Sequence, residues 1–95
     1  MTHVYVTCSA AGQGQRCVVR VGDDPGATTH EVAVSAEALA RFGGPRPDPQ
    51  ALVHESFLFL LEREPRESIL RRFDLPVIER YFPEYPAEIE RRLRR

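Results

Sequence analysis

Lysine is absent from this chain: all 13 basic residues are arginine. Set against 14 acids they leave a formal net charge of −1, which provides no general attraction to polyanions. An arginine-only set fits the codon bias of a GC-rich genome, which also raises Ala and Pro. The alternative is selection for a carboxylate or phosphate grip. Long apolar runs are missing as well. The longest, "FLFLL" at residues 57–61, is far too short to span a bilayer, so no membrane partner is expected. The opening "MTHVYVTCSA" has neither a basic n-region nor an apolar h-region, and the expectation is a cytoplasmic protein.

Signatures of catalysis and cofactor binding are also wanting. "GQGQ" at 12–15 lacks the Lys-Ser/Thr end of a phosphate loop and precedes a strand instead of a helix. There is no Gly-x-Ser-x-Gly, no His-Glu-x-x-His and no clustered cysteine spacing. Asp23 and Asp24 fall in a turn, where aspartate is at home without any chemistry. The histidines do not assemble: His3 and His30 project to opposite sheet faces, and His54 lies at the edge of a helix's apolar arc. His30 shares a face with the two cysteines but sits too far along the strands for a first-shell zinc ligand. No enzyme, no cofactor and no metal is expected.

What is present reads as one domain over residues 1–95. Hydrophobic content of 42% with 28% charged residues is that of a globular chain and argues against disorder. Residues 3–34 alternate in polarity over "HVYVTC", "RCVVRV" and "THEVAV", separated by turn-forming Gly, Pro and Asp. Matching apolar faces sets Cys8 opposite Cys17, Val6 opposite Val19 and Val4 opposite Val21. Tyr5 then lies across from Arg20, with Glu31 within reach on the third strand.

From Ser35 the period becomes helical. Ser35 is the N-cap of "AEALARF" and Gly43 its stop, while Asp48 and Pro49 are an N-cap and first-turn pair for "QALVHESFLFLLERE". In that helix Leu52, Val53, Ser56, Phe57, Phe59, Leu60 and Leu61 cover about 200° of circumference, a stripe too wide for one buried side. It is therefore the central helix, packed on the sheet and under later helices. Pro65 opens a short helix over "PRESILRRF", Asp74 caps a second over "LPVIERYF", and "AEIERRLRR" forms the last. The fold class is α+β: a three-stranded antiparallel β-meander (3–34) packed on a central buried helix, with three or four shorter helices in a helical part (35–95).

Three features invite a functional reading. Cys8 and Cys17 face each other across a hairpin and could be bridged, but in a cytosolic chain two reduced, buried thiols are expected. "PRESILRRFDLPVIERYFPEYP", residues 65–86, has the outline of a helix-turn-helix. Its turn is short, Pro76 occupies the first turn of the would-be reading helix, and Glu79 and Glu84 oppose phosphate. Packing on the core is expected instead. Finally, Arg80, Tyr81, Tyr85, Arg91, Arg92, Arg94 and Arg95 gather arginine and aromatic residues in the composition of an interface hot spot. Together with the two sheet edges "HVYVT" and "THEVAV", they point to a non-enzymatic protein–protein interaction or self-associating module. Nucleic-acid binding through the C-terminal arginines is the competing class.

The stretch "SFLFLLEREPRESILRRFDLPVIERYFPEYP", residues 56–86, resembles a signature of short bacterial proteins with no assigned role. The Arg/Ala/Pro bias is similar to that of high-GC actinobacteria. The resemblance implies no catalytic or binding residue.

Overall fold

The computed structural model describes residues 2–94. Three antiparallel strands run in sequence order, β1 (Val4–Ala11), β2 (Gly14–Val21) and β3 (Thr28–Val34). Helices α1 (Ala36–Phe42) and α2 (Pro49–Leu61) follow, then a 3-10 turn (Arg66–Ser68), strand β4 (Arg72–Asp74), and helices α3 (Val77–Tyr81) and α4 (Tyr85–Leu93). The β1–β2 ladder runs without a bulge from Val4↔Val21 to Ala11↔Gly14, and includes the Cys8↔Cys17 pair. Gly12, at φ 61°, supplies the left-handed residue that its two-residue turn requires in first position.

The sheet departs from a three-stranded meander. A fourth strand, β4, pairs in parallel with β3 (Glu31↔Arg72, Val32↔Phe73, Ala33↔Asp74), so the sheet is mixed and "THEVAV" is not an edge. Residues 65–73, expected as a helix, make one 3-10 turn and then extend. The alternation Ile69, Phe73 and Leu75 inward against Arg72 and Asp74 outward is a strand pattern. A parallel neighbour needs a long crossover, and α1 and α2 provide it. Asp74 consequently belongs to β4 and caps nothing; α3 has Pro76 in the cap position, without a side-chain bond.

The caps read from the sequence are in place. Ser35 Oγ accepts from the Ala38 amide at 3.0 Å, and Asp48 Oδ1 from the Gln50 amide at 3.1 Å. Helix α2 is the centre of the molecule. Phe57 turns to the sheet, where its ring lies 5.3 Å from His30 and 6.1 Å from Phe73. Phe59, 200° further round, meets Tyr85 at 5.4 Å and Phe82 at 5.9 Å under α4 and α3.

Two polar networks are sealed inside. Ser56 has one proton and gives it to the Leu52 carbonyl, so Tyr85, wholly buried, donates its hydroxyl to Ser56 Oγ at 2.7 Å. His30, 1% exposed, bonds the Leu70 carbonyl through Nδ1 and Thr28 Oγ1 through Nε2, each at 2.8 Å. A carbonyl only accepts, which assigns the ring proton to Nδ1 and makes the Thr28 hydroxyl the donor to Nε2.

Burial pushes the His30 pKa below its ordinary value, reinforced by the Arg71 charge and opposed by the Leu70 carbonyl bond. The unfolded chain therefore takes up this proton more readily. Stability from His30 is complete above about pH 6.5, the unfolded value, and declines as pH falls toward the lower folded one. The prediction is a urea midpoint lower at pH 5.5 than at pH 7.5. In His30→Asn, which keeps an amide donor for Leu70 without titrating, that drop should shrink. Equal drops in the two chains would exclude His30 as its cause.

Candidate functional site

The surface expected from the C-terminal sequence is only partly assembled. Tyr81 is 66% exposed and Arg80 is also exposed, whereas Tyr85 is 0% exposed and belongs to the core. Its helix is amphipathic and puts Tyr85 and Ile89 on the inner face together. Arg92 is structural too. Its side chain is 9% exposed, holds Glu62 at 2.7 Å and Glu88 at 3.3 Å, and lies 5.8 Å from the Phe59 ring. Arg63 covers the same ring at 3.7 Å while bonding Glu84. Arg91 pairs with Glu88, and Arg94 with Glu90 at 2.7 Å. Arg95 lies outside the described residues. Of the arginines that looked like a free cationic patch, Arg91 and Arg94 pair with acids of their own helix, and Arg92 also reaches across to Glu62 at the end of α2.

The cysteines are bridged, Cys8 to Cys17, not reduced. The His3 carbonyl accepts from the Gly22 amide at 2.8 Å, which makes His3–Gly22 a hydrogen-bonded pair. Pairs alternate along an antiparallel ladder, so Cys8–Cys17 is a non-hydrogen-bonded pair, the kind that brings side chains closest. The bridge closes at the inner face of the sheet, with Cys17 fully buried.

The same alternation exposes a second feature. Tyr5, Thr7 and Ser9 bond inward to β2, so the N–H and C=O groups of Val4, Val6, Cys8 and Ala10 point out of the open edge of β1. Sheets ordinarily guard such an edge with charge, proline or a bulge. Val4–Ala11, "VYVTCSAA", carries no charge and no proline, and its ladder has no bulge. The opposite edge, β4, is three residues long and displays Arg72 and Asp74. Glu31 pairs there with Arg72 at 3.3 Å and with Arg16 at 3.8 Å, not with Arg20. Arg20 instead bonds the Gly22 carbonyl.

Beside β1, Asp23 gathers a polar trio that the turn reading of this residue did not contain. Tyr5 donates to Oδ1 at 2.6 Å and His3 Nδ1 to Oδ2 at 2.5 Å. These bonds hold the Asp23 carboxyl below its usual range and raise the Tyr5 hydroxyl. Asp24 takes a bidentate grip from Arg66, both bonds at 2.8 Å, which pins the β2–β3 turn to the 3-10 turn. Only distance in sequence hid these pairs.

A groove of about 220 Å³ opens between the end of α2, the Ile69–Leu70 segment and α3. Its walls are Leu60, Ile69, Phe73, Val77 and Phe82. Among the described residues no three His, Cys, Asp or Glu side chains converge as a metal would need, and no helix is long and apolar enough to cross a membrane. Comparison with protein-family profiles, curated proteins and solved structures finds no match for this chain.

Proposed function

We propose that the protein is a non-enzymatic interaction module that works by strand addition at β1, and that the strand it takes is β1 of a second copy. The observation that carries this reading is the eight-residue edge Val4–Ala11, uncharged and unbulged, with its outward backbone groups unpaired among the described residues. A strand laid there gains main-chain hydrogen bonds without displacing a backbone partner seen among the described residues. The edge is self-complementary. In an antiparallel pairing about a two-fold axis, Val4 meets Ala10 of the other copy, Val6 meets Cys8, and Thr7 meets Thr7. Apolar residues then continue one inner face across both sheets, and nowhere do like charges oppose one another. Half-buried Val4 and Cys8 are covered by the added strand.

Sedimentation equilibrium tests this reading with two edge variants. Thr7→Lys sets like charges face to face on the exposed side. Ala10→Pro removes an outward N–H and leaves the β1–β2 ladder intact. Each should weaken association by about tenfold, equivalent to about 1.4 kcal/mol, while leaving urea unfolding of the monomer near the parent value. A parent chain that remains monomeric at high concentration, or variants that associate as tightly as the parent, would overturn it.

A further inference from the structure

The groove beside α3 has a feature that its core-facing walls do not explain. Its apolar lining is interrupted by one carboxylate, Glu64, just beyond the last turn of α2. Burial alone raises the Glu64 pKa, and among the described residues no arginine or histidine is paired with it. Elsewhere the neighbouring acids are matched: Glu62 by Arg92, Glu67 by Arg66, Glu84 by Arg63. An apolar wall around an uncompensated acid is unfavourable for the free protein, and a cation seated there would reverse that sign. The rim adds apolar surface, since Leu70 is 46% and Tyr81 66% exposed and both line the groove. The volume is smaller than the roughly 300–1,000 Å³ of pockets for drug-sized ligands. It suits a single bulky side chain.

We infer that this groove is a docking site for a segment of a partner protein that carries a large aliphatic or aromatic residue beside an arginine or lysine. The apolar side chain fills the space between Ile69, Val77 and Phe82, and the cation meets Glu64 at the rim. Charge complementarity selects this occupant over a purely apolar one, because an apolar group alone would desolvate Glu64 further. The site is separate from the β1 edge and does not depend on pairing there.

The test is a methyl-resolved NMR titration of the whole chain with three blocked peptides. These are acetyl-Gly-Leu-Arg-Gly-amide, its Leu-Gln counterpart and its Ala-Arg counterpart. The Leu-Arg peptide should produce saturable shifts at the Ile69, Leu70 and Val77 methyls. The Leu-Gln peptide should bind about threefold to fivefold more weakly, as the loss of a partly exposed ion pair implies. The Ala-Arg peptide should not saturate. Glu64→Gln should erase the preference for arginine over glutamine, and Leu70→Ser, on the exposed rim, should weaken Leu-Arg binding while leaving unfolding unchanged. Absence of saturable shifts, equal binding of the three peptides, or an arginine preference that survives Glu64→Gln would overturn the assignment. So would groove methyl shifts that follow protein concentration without peptide, since the occupant would then be a second copy.

Discussion

Tyr85→Ala should lower the unfolding free energy by about 3–5 kcal/mol, the usual range for deleting a buried large aromatic. Against a total of about 5–15 kcal/mol for an ordinary domain, that is enough to leave a substantial unfolded population. The size follows from position. Tyr85 has no exposed surface and packs on Phe42 and Phe59 with ring separations of 5.3 and 5.4 Å. It ties α4 to α2 and to the end of α1. Tyr85→Phe separates packing from polarity. It keeps the ring, removes the donor to Ser56 Oγ, and leaves the Ser56 proton on Leu52, so the expected loss is only about 0.5–1.5 kcal/mol. Urea unfolding of the three chains checks both numbers. If alanine cost no more than phenylalanine, Tyr85 would not be a core residue and its place on a binding surface would be restored.

The Cys8–Cys17 bridge carries the second large effect. It closes a short loop, with a sequence separation of 9, across a hairpin already held by the β1–β2 ladder. Chain-entropy reasoning gives about 2–3 kcal/mol for a loop of this length. Reductant should lower the urea midpoint of the parent chain accordingly and leave that of a Cys8→Ala/Cys17→Ala double variant unmoved. A midpoint indifferent to reductant in the parent would mean the bridge adds nothing to stability. The bridge also stiffens β1, whose far side is the open edge, so reduction should loosen the strand offered to a partner.

Much of the fold was legible because local pattern and global fold agree. Three alternating segments gave the antiparallel β1–β3 run. The shortest turn that matches the apolar faces of β1 and β2 gave the register, since a one-residue slip would set apolar against polar. The double-sided stripe on α2 announced a sandwiched helix, and Ser35 and Asp48 marked where helices begin. β4 was not legible. Ile69, Leu70 and Phe73 satisfy a helical spacing as readily as an extended one, and a three-residue strand takes its pairing from β3, not from its own propensity. The free-thiol expectation rested on an argument about compartment, while the register itself already placed the two cysteines face to face.

The candidate site was less legible for a related reason. Arg91, Arg92, Arg94 and Tyr85 looked like a surface because they cluster in sequence. Arg91 and Arg94 are held by Glu88 and Glu90 at local helical spacing. Arg92 and Tyr85, however, reach Glu62, which caps α2, and Ser56 within it, 30 and 29 positions away, and no local rule connects those pairs. The groove arises where α2, the Ile69–Leu70 segment and α3 meet, so Glu64 became notable only once its neighbours proved apolar. The β1 edge was visible as a strand, but its status as the long open edge required β4 to cover the other side.

Residue-resolved hydrogen exchange at two protein concentrations tests strand addition at β1 most directly. The amides of Tyr5, Thr7 and Ser9, bonded to β2, should be protected in dilute and concentrated samples alike. Those of Val4, Val6, Cys8 and Ala10 should exchange rapidly when dilute and become protected when concentrated, in strict alternation with their neighbours. Rapid exchange of these four amides at both concentrations, or protection at both, would contradict the account.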